Sequence, residues 1–464
     1  MRAILVAGTH AGVGKTTVAL GLTAALVKRG LRVQTFKIGP DWFDAGYLTA
    51  ASGRPCINLD LWMMPKRAVL DAYARGAAGA DIVVIDGMWG LFDGMAMKGD
   101  AVSTADVNGL LGAPVLLVVD ASPMMESAAA QVHGFATFGE LPVPACLFNR
   151  VGKSRYERLR AAVQVAGSVE PVGFLAIDEA IRLPEHGGSI APADSARLEE
   201  ILPTLGERFA ESVKVGALLE MAEAAAAHKP PPAPKHKAAK ARARIALARD
   251  EAFHFYYQEN LAALEAAGAE LVPFSPLKDA KLPAGVGGIY LGGGFDEVHA
   301  ERLDKNRTMR EAVHAAVDGG MPTYAECGGL LYLTKHFVGS GVRAWEMAGV
   351  LPGEVRIAPP SSGYASVESV LGSFLVPKGE KLRGHEFRVC EWSEDGGPQA
   401  AYRVSRPGRE DSRAEGFARG NLHVSSVHLH FSSCPDVVKR FVDAAETHAK
   451  KAPKKGPRTK PKRR

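Results

Sequence analysis

At 464 residues the chain exceeds one ordinary domain, so two or three domains of roughly 150 residues are expected. Its 47% hydrophobic content excludes an intrinsically disordered chain, and 50 glycines point to tight turns and close backbone approaches. The formal charge of +5 misleads, because nine Lys or Arg and no acid lie from Lys450 to Arg464, and without them the body stands at −4. A nucleic-acid-binding role is thereby disfavoured. Cys56, Cys146, Cys327, Cys390 and Cys434 are scattered without a CxxC pair, which argues against a disulfide framework and a cysteine zinc site. The N-terminal apolar run is too short for a signal peptide, and no window approaches ~18 uninterrupted apolar residues. A soluble, cytoplasmic protein with no membrane partner is expected.

In chain order, apolar runs at 2–7, 31–37, 82–85, 115–119, 145–149 and 171–176 read as strands separated by helix-length stretches. Strands apolar throughout, alternating with helices, predict a parallel sheet covered on both faces. The first strand runs into GTHAGVGKTT and then a helix. Phosphate binding needs backbone N–H groups, a helix N-terminus, a cation and a magnesium-binding hydroxyl. Gly12 and Gly14 allow the close approach, Lys15 reaches the β/γ-phosphates, and Thr16 and Thr17 open the helix. The spacing departs from GxxxxGK[ST], because Thr9 stands where the first glycine belongs. Downstream, Asp86 ends an apolar strand, where a carboxylate can hold Mg²⁺ directly or through water. Asp93 lies further along GMWGLFDG and is placed to face a substrate. Lys37 and Asp41, in KIGPDWFD, are expected at the same sheet edge as the phosphate loop.

Composition shifts at Ala224–Arg244, where prolines and six basic residues read as a linker. A strand from Ile245 restarts the β/α rhythm, followed by strands at 288–291 and 321–326. Residues 349–404 alternate in a way that predicts antiparallel strands, and a strand at 425–431 precedes a helix over 436–449. The run AECGG puts Cys327 on a strand-to-helix turn, exposed beside backbone N–H groups and a helix N-terminus. Such a setting is expected to favour the thiolate and to stabilise an oxyanion. The loop GGGFDE and the turn itself supply Gly293 and Gly328 as oxyanion-hole donors. A thiol nucleophile needs a base, and SVHLHF offers His428 and His430, of which one is expected to serve.

Taken together, GTHAGVGKTT, KIGPDWFD, ASGRP, NLD, GMWGLFDG, IYLGGGFDE, PTYAECGGLLYL, RGHEF and VHLHF resemble the cobyrinic acid a,c-diamide synthases over residues 1–445. The resemblance implies two doubly wound, mostly parallel α/β domains. Residues 1–222 are then a dethiobiotin synthetase-like ATPase and 223–244 the linker. A class I glutamine amidotransferase domain follows at 245–447, and a basic disordered tail at 448–464. It implies Cys327 as nucleophile and His428 as its partner. The acid that class I amidotransferases usually carry two residues after the histidine is replaced by His430, so a Cys–His dyad is expected. Gly12, Gly14, Lys15, Thr16, Thr17 and Lys37 fall on ATP positions. Thr16, Asp86 and Asp41 fall on metal positions, and Asp41, Trp42 and Asp93 on substrate positions.

The expected partners are ATP with Mg²⁺, L-glutamine and an anionic tetrapyrrole polycarboxylate, with a homodimer compatible with the pattern. Three departures stand out: Asp86 where the family usually has Glu, Trp42 where it has Tyr, and HEFRVC in place of a GHEFHYS-like run. They leave open another tetrapyrrole, as in sirohaem or nickel-sirohydrochlorin amidation. A reading of another class is a ParA-like ATPase with a non-catalytic C-terminal binding module, in which Cys327 and VHLHF have no role.

Overall fold

The computed structural model describes residues 1–94, 102–167, 169–183, 185–186, 189–190, 198–225, 240–294, 297–341, 343–394, 397, 399–409 and 411–451. Most of the expected linker and nearly all of the basic tail lie outside these. Two compact units divide the chain, Met1–His236 with Tyr256–Asn260, and Lys237–Phe255 with Leu261–Arg464. Among the described residues no helix is long and apolar enough to cross a membrane.

In the first unit β1 (Ala3–Gly8) leads to α1 (Lys15–Lys28), β2 (Val33–Ile38), α2 (Phe43–Ser52), β3 (Ile57–Leu59) and α3 (Lys66–Ala77). The chain continues through β4 (Ile82–Asp86), α4 (Thr104–Leu111), β5 (Val115–Asp120), α5 (Ser127–Phe138), β6 (Ala145–Asn149), α6 (Lys153–Ala166) and β7 (Glu170–Leu175). A hairpin of β8 (Glu185–His186) and β9 (Ser189–Ile190) precedes α7 (Leu198–Ser212) and α8 (Val215–Ala224). The sheet order is β3-β2-β4-β1-β5-β6-β7, and every pairing is parallel. All six residues of β1 and of β2 are buried, which is why these strands show no polar alternation. β1 therefore lies at the middle of the sheet, and its C-terminal loop opens beside the ends of β2 and β4.

The second unit starts with β10 (Ala243–Ala248), α9 (Gln258–Ala266), β11 (Ala269–Phe274), β12 (Gly288–Leu291), α10 (Glu297–Lys305) and α11 (Arg307–Asp318). β13 (Thr323–Glu326) and the six-residue α12 (Gly328–Leu333) follow, then β14 (His336–Val338), β15 (Ala344–Glu346), β16 (Glu354–Ser369) and β17 (Lys381–Trp392). The remaining elements are β18 (Tyr402–Ser405), β19 (Ser412–Glu415), β20 (Phe417–Arg419), β21 (Leu422–Ser425), β22 (Val427–Leu429) and α13 (Asp436–Lys451). A six-stranded sheet runs β11-β10-β12-β13-β21-β20, parallel except at β20. A second sheet is built on the β16–β17 pair, with β22 at one side.

The single strand expected over 425–431 is two strands in two different sheets. Glu415 accepts from the Ser425 hydroxyl (2.7 Å), the Ser426 N–H (2.6 Å) and the Ser426 hydroxyl (2.8 Å), so the chain bends at the serine pair. Two polar residues inside an apolar run were the only sign of that bend. β21 then stays beside β13, while β22 crosses to pair with β17.

Candidate active sites

At the end of β1, Gly12 and Gly14 take φ of 80° and 91°, values that a side chain disfavours. A Cβ on Gly14 would lie 2.1 Å from Asn149 Nδ2, and that amide donates to Val13 O (2.7 Å). Arg150 Nη2 donates to Gly12 O (3.0 Å), so the end of β6 holds the loop from behind. Neither residue stands out in the sequence, because they lie at the end of β6 and just after it, far along the chain. Lys15 is buried and its Nζ lies 3.4 Å from His10 O. Burial and the Lys37 ammonium lower the Lys15 ammonium to about 8, with the carboxylates Asp86, Asp44 and Asp93 opposing them.

Register places Lys37 on β2 directly opposite Asp86 on β4. Lys37 Nζ donates to Asp86 Oδ2 (2.8 Å) and Gly87 O (3.0 Å) and pairs with Asp44 (2.7 Å). Burial works against this ammonium, but Asp44 and Asp86 outweigh it and hold Lys37 above its ordinary range. Thr16 Oγ1 also donates to Asp86 Oδ2 (3.2 Å). Thr17 follows in the first turn of α1. Asp41 accepts the Asp44 N–H (2.7 Å), and burial with the Asp44 charge pushes its carboxyl up to about 7. Asn58, of the NLD motif, donates to Gly39 O (2.8 Å) and Asp41 O (2.9 Å) and thereby fixes this loop. Trp42 is 6% exposed, with its ring 5.0 Å from that of Tyr257. Asp93 is exposed, and its Oδ2 lies where a Cβ on Gly90 would be only 2.4 Å away. Lys15, Thr16, Lys37, Asp41, Asp86 and Asp93 thus converge on one sheet edge, and Asp44 joins them although the motif alone gave it no role.

In the second unit Cys327 sits at φ 45° and ψ −103°, between β13 and α12. Its N–H donates to Ser425 O (2.8 Å), and Sγ lies 3.3 Å from Phe387 O. The thiol does not show the low pKa expected of the turn. Burial pushes it up to about 12, helped by Cys390, Glu326 and Glu386, while the Gly328 N–H at the sulfur pulls the other way. The amide of a six-residue helix does not outweigh that desolvation, so a base has to take the proton. The other four cysteines are buried, as expected of inert thiols.

His428 follows the bend and is 1% exposed. A Cβ on Gly293 would meet His428 Cε1 at 2.5 Å and Nε2 at 3.1 Å, so the imidazole lies against the bare Gly293 backbone. The Gly293 N–H makes a long bond to Phe255 O (3.4 Å). Gly328 N–H, not Gly293 N–H, is therefore the one turned to the sulfur. His430 would share a face with His428 on one continuous strand, but β22 ends at Leu429. His430 instead opens a 3₁₀ turn, its Nδ1 accepting the Ser432 N–H (3.3 Å), and burial lowers its imidazole to about 3. The structure separates the two histidines in this way. Glu386 of RGHEF is buried under Arg388 (3.5 Å), Arg406 (2.9 Å) and Arg413 and accepts the Ser426 hydroxyl (3.1 Å). Gly293→Ala should lower glutamine turnover at least tenfold through the displaced imidazole and leave ammonia-dependent synthesis unchanged. Glutamate release and ammonium-fed turnover check both halves of this expectation.

The two units define the class: a nucleotide-binding ATPase domain and a glutamine amidotransferase domain in one chain. Residues 4–190 match the model of the CobQ/CobB/MinD/ParA nucleotide binding domain, and 244–435 that of the CobB/CobQ-like glutamine amidotransferase domain. Proteins named cobyrinate a,c-diamide synthase are 42% identical in Syntrophotalea carbinolica, covering 95% of this chain and 98% of that one. The relatives in Dehalococcoides mccartyi strain CBDB1 and Priestia megaterium are 39% and 36% identical, covering 95% and 97% of this chain and 97% and 98% of theirs. The chain belongs to the cobyrinate a,c-diamide synthase family. It is an enzyme of the glutamine-hydrolysing amidotransferase ligase class, and its domains imply ATP and glutamine as substrates.

Proposed function

We propose that the enzyme amidates the a and c acetate carboxylates of cobyrinate, through an acyl phosphate and with ammonia released from glutamine. The observation that carries the reading is the pairing of two complete sites in a chain that spans its relatives' length. One holds Lys15, Thr16 and Asp86 around a phosphate loop; the other has Cys327 after β13 of one sheet and His428 on β22 of the adjoining sheet. In the second unit the Cys327 thiol proton passes to His428 as sulfur attacks the glutamine side-chain carbonyl. The C–N bond then breaks, and ammonia leaves with the proton from His428. Water, deprotonated by His428, cleaves the thioester and restores the thiol, so glutamine and water become glutamate and ammonia.

In the first unit a substrate carboxylate oxygen attacks the γ-phosphorus and ADP leaves. Ammonia then displaces phosphate to form the amide, losing a proton. Lys15 and Lys37 supply the fixed positive charge, and the loop N–H groups position the phosphates. Magnesium fits here. Asp86 Oδ1 is buried and accepts no hydrogen bond among the described residues, and the Thr16 hydroxyl adjoins the same carboxylate. Among the described residues no three His, Cys, Asp or Glu side chains are grouped to hold a metal by themselves. Phosphate oxygens and water would complete the set, as is usual for this ion. Bound there, Mg²⁺ neutralises charge developing on the phosphates. Asp41, Asp93 and the ring of Trp42 are assigned to the substrate side of the same edge.

Purified enzyme given cobyrinate, ATP and glutamine should yield the diamide with two ADP and two glutamate per product. Transfer of ¹⁸O from labelled carboxylate into phosphate tests the acyl phosphate. Turnover with sirohaem or nickel-sirohydrochlorin and none with cobyrinate would replace the substrate but keep the chemistry. Asp86→Asn should depress ATP-dependent turnover tenfold or more, where ~1.4 kcal/mol corresponds to tenfold. Asp86→Glu, with its longer reach, should stay active. Comparing both variants at limiting and saturating Mg²⁺ identifies a metal role by a raised Mg²⁺ requirement in Asp86→Asn.

A further inference from the structure

Glu326, the residue before the nucleophile, is 2% exposed. It ends β13 in register with Ser425, the residue whose carbonyl holds the Cys327 N–H. Its carboxylate accepts the hydroxyls of Tyr290 (2.9 Å) and Tyr324, together with the Leu429 N–H (3.0 Å). A buried carboxylate needs such donors in place of water. Here they also fix its position, because Tyr290 lies on the neighbouring β12, Tyr324 on β13 itself, and Leu429 adjoins His428. Glu326 Oε2 is 3.8 Å from His428 Nδ1, while Cε1 and Nε2 of the ring lie against Gly293. The imidazole is thus held between a fixed negative charge and a backbone wall.

Building on the assignment of His428 as base, we propose that Glu326 is its positioning residue. The carboxylate faces Nδ1 from 3.8 Å, and its charge orients the ring and stabilises the imidazolium that forms when the thiol proton reaches Nε2. The other buried acids nearby are already engaged, Glu386 by arginines and Glu415 by the serine bend. His430, two residues beyond His428, is a neutral cap. The orienting acid thus comes from the strand that delivers the nucleophile, which removes the need for one two residues after the histidine. Such an acid holds a ring and its tautomer without itself taking the proton.

The test is Glu326→Gln in the full-length enzyme, which keeps the shape and removes the charge. Glutaminase kcat should fall at least tenfold with KM for glutamine within about twofold of the parent, a split that marks a transition-state effect. The pH profile of Cys327 alkylation by iodoacetamide supplies the second readout. The groups around the pair are Glu326 on β13, His385 and Glu386 on β17, Cys390 beside the sulfur, and the hydroxyls of Tyr290 and Tyr324. Loss of Glu326 destabilises imidazolium, so the alkylation profile should move to higher pH. A carboxylate acting only by direct repulsion of the thiolate would move it to lower pH and overturn the proposal. Unchanged kcat, or a loss confined to KM, would overturn it as well. If Glu326→Gln does not fold, Glu326→Asp replaces it: reduced kcat with a smaller upward shift is expected, and parental behaviour in both readouts overturns the proposal. Parental glutaminase that Cys327→Ala abolishes while Glu326→Gln leaves it intact would sink this assignment alone. Glutaminase surviving in Cys327→Ala would sink the site beneath it.

Discussion

Replacing Cys327 with Ala should abolish glutamine-dependent amidation, by at least about 10³-fold, while ammonium salts sustain the parental rate. The thiol lies in the second unit, and on the proposed function its only product of use to the synthetase is ammonia, which can be supplied from solution. Alanine removes the nucleophile without adding bulk, so the turn at φ 45° should survive. Glutamate formation, measured directly, should vanish in step. Loss of both nitrogen sources in a folded variant would mean that the two half-reactions are not joined by free ammonia.

Lys15→Ala should remove amidation with either nitrogen source, by about 10²-fold or more, because charge at the γ-phosphate is then unbalanced. The loss should fall mainly on kcat, since phosphate charge builds up toward the transition state. A pH effect accompanies this. Free Lys15 sits at about 8, lowered by burial and by Lys37, whereas bound phosphates favour its charged form. ATP binding should therefore take up a proton and weaken as pH rises through about 8. Calorimetry in buffers of different ionisation enthalpy measures that uptake. Turnover of Lys15→Ala at the parental rate would remove the phosphate loop from the mechanism.

Much of this architecture is legible in the residues. Strands apolar at every position, such as 115–119, can only be buried on both faces, and the phosphate loop and cysteine turn follow them directly. Less visible is what depends on residues distant in sequence. Asn149 and Arg150 brace the phosphate loop from 130 and more positions away. Asp44 reads as one polar residue in a helix until β2 brings Lys37 to it. The bend at Ser425 and Ser426 depends on Glu415, ten positions earlier, and the end of β22 at Leu429 sets His428 apart from His430. The turn at Cys327 suggests a thiol lowered by the helix dipole, whereas burial, which depends on the strands packed over it, raises it. Local pattern suggests the chemistry; register and packing set its two candidate histidines in different surroundings.

The backbone at Cys327 also bears on how such a gene decays. A non-glycine residue at φ 45° and ψ −103° stores strain of order 1–3 kcal/mol, retained only while the thiol is needed. Glycine would accept that conformation freely. In a lineage living on abundant ammonia, selection on the glutaminase would lapse while selection for folding persisted. Cys327→Gly, reachable by a single base change, would then gain stability as it lost activity, so drift at this codon has a direction. Purified Cys327→Gly should melt above Cys327→Ala, whose methyl group keeps the strain. Ageing copies of the gene should accumulate glycine here sooner than chance substitution would place it.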